Sequence, residues 1–169
     1  MRTHKALEEW VNAHKARSLS QLKEMYTEDS SFHRTGTKVI TAEDSALKVA
    51  EFDHATKTQR SVRPSWIMCD EVRAEVTERS ELLEAAGIQE ARYIGLFVVR
   101  GDKIESVQLE PTPDTRQATD RALSGFIAWA SKERPERLAQ VMSGERFRYD
   151  SESGRRLLKL LREWRESTK

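Results

Sequence analysis

The feature that most constrains the fold is a pair of apolar runs joined by a two-residue turn near residue 100. Residues 89–100 and 103–110 are rich in β-branched and aromatic side chains, and Gly101-Asp102 separates them. A two-residue loop with glycine in first position is typical of a type II′ turn, which joins neighbouring antiparallel strands. Over residues 93–99 the first run is apolar at both odd and even positions, which is typical of a strand covered on both faces. The sequence therefore predicts a β-hairpin with one face on an interior and the other on a partner subunit or on helices.

Helical and extended patterns precede this hairpin in a definite order. Apolar spacing predicts a helix over residues 5–26, and Ser18 is a candidate N-cap for its second half. The elements predicted next are a strand at 31–33, a partner strand at 38–40, a helix capped by Thr41, strands at 62–70 and 72–79, and a short helix at 81–86 ended by Gly87. This order, with helices grouped before a meander of strands, favours the α+β class.

The last third of the chain follows a different pattern. Pro111 and Pro113 interrupt the alternation, and the residues from Asp114 onward have helical spacing. The final helix carries a strong apolar face of leucines, which needs a surface to cover it. We therefore expect two parts, residues 1–113 and a helical extension at 114–169 packed on the sheet.

Composition narrows the class of protein. The net charge is +1, so the chain as a whole has no electrostatic preference for nucleic acid or membranes. The final helix has a basic face, but acidic residues interrupt it and no aromatic reading surface accompanies it, so we do not expect a nucleic-acid partner. The single cysteine, Cys69, cannot form an internal disulfide, and its pattern predicts a buried strand position. No apolar stretch reaches the ~20 residues that span a bilayer, and no signal segment follows Met1, so we expect a cytoplasmic protein without a membrane span.

Three segments resemble the nuclear transport factor 2-like superfamily. They are ALEEWV at residues 6–11, LKEMYTEDSSFH at 22–33 and GLFVVRGDKI at 95–104, and the resemblance covers about residues 5–112. It implies a cone-shaped, curved antiparallel sheet closed by N-terminal helices, with the C-terminal helices outside the usual pattern. Members often pair through the convex face of the sheet, so the resemblance also implies a homodimer, unless the extra helices occupy that face.

The resemblance argues against one known activity of the superfamily. Its ketosteroid isomerases need a carboxylate base together with a tyrosine and a protonated aspartate that bind the oxyanion. Matched by position, the tyrosine is replaced by Trp10, the base by His33 or Arg34, and the aspartate by Gly95 or Leu96. None of the three groups is retained, so steroid isomerisation by that mechanism is not expected.

Other side chains are candidates for a site inside the cone. Trp10 and His14 are four residues apart and share one helix face, while Tyr26 and His33 could approach the same interior. A neutral histidine is a suitable general base near neutral pH, so His33 and His14 are the candidate catalytic residues. The alternative interpretation is that each histidine is a hydrogen-bonded structural residue at a helix–sheet junction.

The remaining candidates come from the strands. Trp66 and Leu96 are predicted as apolar walls of the ligand site, and Glu105 as a carboxylate among apolar neighbours whose pKa would then be raised. The alternative places Glu105 in water at the end of the sheet. The four histidines are scattered without compact Cys/His spacing and no glycine-rich phosphate loop is present, so we expect neither a metal nor another cofactor.

Two functional hypotheses from different classes remain open. The first is a pocket in the cone for a small, largely apolar molecule, as a carrier or as a cofactor-independent isomerase, lyase or hydrolase. The second is a non-catalytic interaction module in which side chains fill the cone and the C-terminal helices form the working surface. Whether the protein is an enzyme is not decided by the sequence, because this fold hosts both classes.

Overall fold

A computed structural model describes residues 2–36 and 42–169, without the side chains of residues 42 and 43. Its helices are α1 (Arg2–Ala16), α2 (Leu19–Glu24), α3 (Ala46–Ala55), α4 (Glu81–Ala85), α5 (Pro113–Glu133), α6 (Pro135–Val141) and α7 (Ser151–Ser167). Its strands are β1 (Tyr26–Arg34), β2 (Ala42–Ser45), β3 (Gln59–Met68), β4 (Glu71–Arg79), β5 (Ala91–Arg100), β6 (Lys103–Pro111), β7 (Met142–Ser143) and β8 (Arg146–Phe147). The predicted α+β class is confirmed.

Among the described strands, β1 to β6 form one curved sheet in the order β2-β1-β6-β5-β4-β3. Strands β1 and β6 run parallel, and the other neighbours run antiparallel. The predicted hairpin is confirmed: Arg100 pairs with Lys103, and Gly101 has a φ of 68°, which suits glycine at the first turn position. Strands β7 and β8 form a separate small hairpin between α6 and α7.

The two faces of β5 are covered to different degrees. Its inner face carries Ala91, Tyr93, Phe97 and Val99, which are all buried. Its outer face carries Ile94, Leu96 and Val98, which remain partly exposed. Both faces of β5 are therefore apolar, but only the face on the concave side of the sheet is fully buried.

The C-terminal segment, residues 113–169, covers one end of the concave side. Helix α7 packs against α3, α4 and α6, and buries leucines at 157, 158, 160 and 161. The approach to α3 is close, because a Cβ at Gly154 would lie 3.2 Å from the Cβ of Ala55. Helix α5 begins beside β5, where the backbone N–H of Arg92 donates to Thr115 Oγ1 over 2.8 Å. The leucine face predicted from the sequence is therefore buried mainly against helices.

Two local predictions on the N-terminal side need correction. The helix predicted from residue 41 begins at Ala46, with Ser45 accepting from the backbone N–H of Leu47, while residues 42–45 form β2. Pairing of β2 with β1 satisfies the backbone of residues 42–45 and outweighs the capping pattern. The strand predicted at 38–40 and the cap at Thr41 lie outside the described residues.

The helix predicted over residues 5–26 is also divided. Arg17 adopts a φ of 53°, which breaks the helix, and Ser18 then caps α2 by accepting from the N–H of Gln21, as predicted. Tyr26 already belongs to β1. Cys69 was expected in a buried strand, but it lies exposed in the turn between β3 and β4 with a φ of 50°.

Candidate functional site

A buried ionic network lies between the sheet and α3. Arg60 of β3 donates from Nη1 to Asp53 Oδ2 over 2.5 Å and from Nε to Glu78 Oε2 over 2.8 Å. Asp53 comes from α3 and Glu78 from β4, and all three side chains are at least 95% buried. Burying single charges is costly, so each of these groups depends on its partners.

His14 completes this network from α1. Its Nδ1 lies 2.8 Å from the backbone oxygen of Trp10, and its Nε2 lies 3.1 Å from Arg60 Nη1. A carbonyl oxygen only accepts, so Nδ1 carries a proton, and Nε2 then accepts from the guanidinium in a neutral ring. The lone pair that a general base would use is thereby engaged, which favours the structural interpretation of His14.

A second buried hydrogen bond joins α1 to β1. Trp10 Nε1 donates to the hydroxyl oxygen of Tyr26 over 2.6 Å, and both side chains are buried. Burial raises the pKa of Tyr26 far above its ordinary value, so the phenol stays protonated. The Trp10 ring also meets Phe97 edge-on and lies beneath the guanidinium of Arg60. Trp10 is therefore an anchor of the core.

Arg34 extends the network toward the C-terminal segment. Its Nη2 donates to Glu78 Oε2 over 3.2 Å, and its guanidinium lies over the rings of Phe32 and Tyr93. Its buried Nε has no hydrogen-bond partner among the described residues. A buried donor without a partner costs free energy, so this nitrogen is an available anchor for an acceptor.

The charges of the network balance one another. Burial raises the pKa of Asp53, but the charge and hydrogen bonds of Arg60, together with His14, outweigh burial and lower that pKa to about 2. Asp53 is thus an anion at neutral pH and a weak base. With Arg34, Arg60 and Glu78 also ionised, two cations face two anions and the interior carries no net charge from these four groups.

A cavity of about 70 Å³ adjoins this network. Its polar end is formed by Arg34, Asp53, Glu78, Tyr93 and Tyr149. Its apolar wall includes Phe52 of α3 and Leu83 of α4, and residues of the C-terminal segment close it: Ala122, Leu123, Phe147, Leu157 and Leu161. Ligand pockets typically measure about 300–1,000 Å³, so this cavity is smaller than a typical ligand site.

His33 and Leu96, both predicted site residues, lie on the opposite face of the sheet. His33 pairs in register with Gln108, whereas the buried Phe32 beside it pairs with Val107. Neighbouring strand residues point to opposite faces, so His33 is outside the cone. With Leu96 it lines a shallow groove of about 330 Å³ on the outer face. The prediction that His33 and His14 flank one ligand is therefore wrong.

Trp66 and Glu105 are also placed away from the cavity. Trp66 is 42% exposed near the end of β3, next to the exposed Ile67 and Met68. Glu105 lies at the bulge of β6 and forms an ion pair with Arg100, so it is a partly exposed carboxylate at the sheet end and not one among apolar neighbours. Of the predicted set, the structure gathers only Trp10, His14 and Tyr26 in the interior.

Sequence reasoning missed the ionic residues of the interior. The alternation in β4 contained a signal, because Glu78 continues the buried face of Val72, Ala74 and Val76. A charged residue in phase with an apolar face is expected to have a buried partner, and Arg60 lies directly opposite Glu78 in the ladder. Nothing in the local sequence identified Asp53 as a buried residue.

Within residues 2–36 and 42–169, no group of three or more His, Cys, Asp or Glu side chains is assembled that could hold a metal ion. No helix in this part of the chain is long and apolar enough to cross a membrane.

Comparison with known proteins identifies the fold. No family model matches the sequence, and no curated protein matches it. Among solved structures, an NTF2-like protein of unknown function from Cytophaga hutchinsonii has a TM-score of 0.53 at 13% identity, covering 66% of this chain and 91% of that one. A putative polyketide cyclase from Streptomyces antibioticus has a TM-score of 0.54 at 18% identity, covering 73% and 99%. A putative ketosteroid isomerase from Kribbella flavida has a TM-score of 0.52 at 11% identity, covering 66% and 78%.

Proposed function

Because the chain has the nuclear transport factor 2-like fold, we propose that its cone binds a small, largely apolar molecule, of which the part inside the interior cavity is uncharged. The observation that carries the proposal is an apolar cavity with one polar end, where Arg34, Tyr93 and Tyr149 converge. Apolar walls with a few fixed polar groups are the usual form of a small-molecule site. The apolar walls supply affinity, and the polar end orients the ligand.

The charge balance of the interior supports an uncharged ligand group inside the cavity. Asp53 and Glu78 are already paired with Arg60 and Arg34, so a charged ligand group placed there would lack a compensating partner. Burial raises the pKa of Tyr93, so its phenol is a protonated donor. The ligand group that fits this end is a hydrogen-bond acceptor such as a carbonyl, ether or hydroxyl oxygen.

The same geometry favours binding over acid–base chemistry. Asp53 has a lowered pKa, and the Nε2 lone pair of His14 accepts from Arg60. A general base near neutral pH needs a free lone pair and a matched pKa. Asp53 lacks the matched pKa, and His14 lacks the free lone pair. The names of two structural neighbours refer to ketosteroids and polyketides. These names support an oxygenated apolar ligand for this chain, and no particular reaction.

Entry of such a ligand requires movement of the C-terminal segment. The cavity of about 70 Å³ is smaller than a typical ligand site, and α7 contributes Leu157 and Leu161 to its wall. The adjacent hairpin of β7 and β8 is short and carries Phe147, and Tyr149 follows it. Displacement of α7 and this hairpin from α3 would enlarge the cavity toward the polar end.

A second candidate function follows from the small volume of the interior cavity. If the segment never opens, the cone is a filled core and the protein is an interaction module. The exposed Trp66, Ile67 and Met68 at the end of β3 would then be the first surface to examine. Exposed apolar residues grouped in this way are typical of interaction surfaces.

Native mass spectrometry distinguishes the two candidates. The purified protein is compared with its denatured mass, and any released compound is tested for extraction into an apolar solvent. The proposed function predicts a released small compound with a largely apolar portion, or an adduct with an added aliphatic alcohol when the site is empty. A mass without adducts under both conditions favours the filled cone.

A further inference from the structure

A surface groove of about 520 Å³ lies beside the interior cavity and has the opposite chemical character. Its walls come from the loop after α1, the loop after α3, and the segment from the end of β4 to the residues after α4. Basic side chains at Arg17, Lys57 and Arg79 project from these three places. The groove therefore gathers cations from parts of the chain that are distant in sequence.

Two of these basic residues have an unusual backbone conformation. Arg17 has a φ of 53° and Lys57 a φ of 51°, a left-handed conformation that non-glycine residues rarely adopt. Among the described non-glycine residues only Cys69 shares this property. Such outliers persist where the surrounding structure holds them, and they concentrate at functional sites. Two of the three described outliers thus lie in one groove, and both are basic.

The charges around the groove do not cancel. Glu81 accepts from Lys57 over 2.6 Å and from Arg162 over 2.9 Å, and the hydrogen bond from Lys57 is the main cause of its lowered pKa. Within the described chain, Arg17 has no ion pair. The described charged groups at the groove are the cations Arg17, Lys57, Arg79, Arg162 and Arg165 and the carboxylates Glu81, Glu84 and Glu90. A surplus of positive charge remains for a bound anion.

The groove and the interior cavity share part of one wall. Ser80 and Ile88 line both spaces, so the cationic groove lies directly beside the apolar cavity. We propose that the ligand of the cone is an amphiphile, with an apolar portion in the cavity and an anionic group such as a phosphate monoester in the groove. This inference rests on the proposed function, because it assigns the second half of the same ligand. Arg17 is the residue expected to bind the anion without giving up another partner.

The test compares three probes at low ionic strength by calorimetry: octyl phosphate, 1-octanol and inorganic phosphate. Each is titrated into the wild type, into Arg17→Gln and into Arg116→Gln. Glutamine keeps an unbranched polar side chain, although a shorter one, and removes its charge. Arg116 is an exposed arginine of α5 away from the groove, so its variant controls for the loss of one positive charge.

The inference predicts that octyl phosphate binds more tightly than either other probe. Its affinity should fall about three- to tenfold in Arg17→Gln, as expected for one partly exposed charge contact, and remain unchanged in Arg116→Gln. The affinity for 1-octanol should be equal in all three proteins. Added salt should reduce the advantage of octyl phosphate, because the groove is exposed.

The outcomes that overturn the inference differ in what they imply for ligand binding inside the cone. If octyl phosphate binds no more tightly than 1-octanol, the groove is not part of the ligand site. The same holds if both variants lose equal affinity for octyl phosphate. Neither result contradicts the proposed function. If inorganic phosphate binds as tightly as octyl phosphate, the groove is a site for a free anion, and its ligand is independent of the ligand in the cone. No binding of either octyl compound contradicts the proposed function together with this inference.

Discussion

Arg60 donates two hydrogen bonds to Asp53, with Nη1 2.5 Å from Oδ2 and Nη2 3.3 Å from Oδ1. Both side chains are buried in the core. This contact links β3 to α3, and its carboxylate partner Asp53 lines the polar end of the cavity. Two parallel hydrogen bonds between a guanidinium and a carboxylate fix orientation as well as distance. The contact therefore positions the helix against the sheet.

Acid should remove the stability that this contact provides. The pKa of Asp53 lies near 3.8 in the unfolded chain and about 2 in the folded protein, so the folded state favours the anion. A carboxyl with a depressed folded pKa contributes stability above its unfolded pKa and loses it as pH falls through the folded value. Asp53 should contribute roughly 2 kcal/mol above about pH 4, and this contribution should disappear toward pH 2.

Urea unfolding of the wild type and Asp53→Asn between pH 6 and pH 2 measures this contribution. We expect the variant to be less stable at pH 6 and the difference to shrink steadily below about pH 4. A difference that stays constant down to pH 2 would show that the carboxylate is not the titrating group.

Loss of the central cation should be among the most damaging changes in the core. Arg60→Met fits the side-chain volume but leaves Asp53 and Glu78 buried without their main partner. Breaking a buried ion pair in this way costs about 3–5 kcal/mol of unfolding free energy. Arg63→Met is the matched control, because Arg63 is on the same strand and pairs with Glu75 in solvent, so its loss should cost about 1 kcal/mol or less. Equal losses in the two variants would contradict the importance assigned to the network.

The hydrogen bond between Trp10 and Tyr26 should also be measurable. Tyr26→Phe keeps the ring but leaves Trp10 Nε1 without its acceptor, which should cost about 1–3 kcal/mol. Tyr93→Phe is the comparison, because no hydrogen bond of its hydroxyl to another described residue is recorded, and its cost should be smaller. Chemical denaturation gives both values, and a Tyr26→Phe protein as stable as the wild type would exclude the bond.

The fold and the interior site differ in how far the sequence predicted them. The hairpin at Gly101-Asp102 and the Ser18 cap depend on local rules, and both were predicted because glycine conformation and capping act within a few residues. The Ser18 cap indicated a second helical piece, but the positive φ of Arg17 that separates α1 from α2 was not predicted, because a positive φ at an arginine has no local signature. The extent of β2 depends on pairing with β1, which is a long-range contact.

Of the predicted site residues, Trp10 and His14 on α1 and Tyr26 at the start of β1 lie in the interior. Trp10 and His14 were placed together by their spacing of four, whereas His33 was assigned to the wrong face of its strand. A one-residue difference in phase moves a side chain from the interior to the outside, and a short strand gives little pattern to fix that phase. The network of Asp53, Arg60 and Glu78 forms only when α3 is packed on β3 and β4.

Movement of the C-terminal segment can be tested with a reversible crosslink. Ala55→Cys with Gly154→Cys, in a Cys69→Ser background, places the two sulfur-bearing carbons within reach of a disulfide, because the corresponding Cβ separation is 3.2 Å. The oxidised protein should bind 1-octanol at least about tenfold more slowly than the same protein after reduction, because the competent state requires displacement of α7. Stopped-flow tryptophan fluorescence measures both rates. Equal rates in the two redox states would show that the ligand enters by another route.

Binding of the uncharged, largely apolar part of a small molecule in the cone interior is tested by a substitution that fills that interior. Ala122→Leu extends an apolar side chain from α5 into the cavity, and Ala128→Leu makes the same change on the exposed side of α5. We expect 1-octanol, titrated by calorimetry, to bind the wild type and Ala128→Leu with equal affinity. Its affinity for Ala122→Leu should be at least about tenfold weaker, and all three proteins should remain folded. Equal affinity for Ala122→Leu and the wild type, or no binding by any of the three proteins, would contradict binding in the interior.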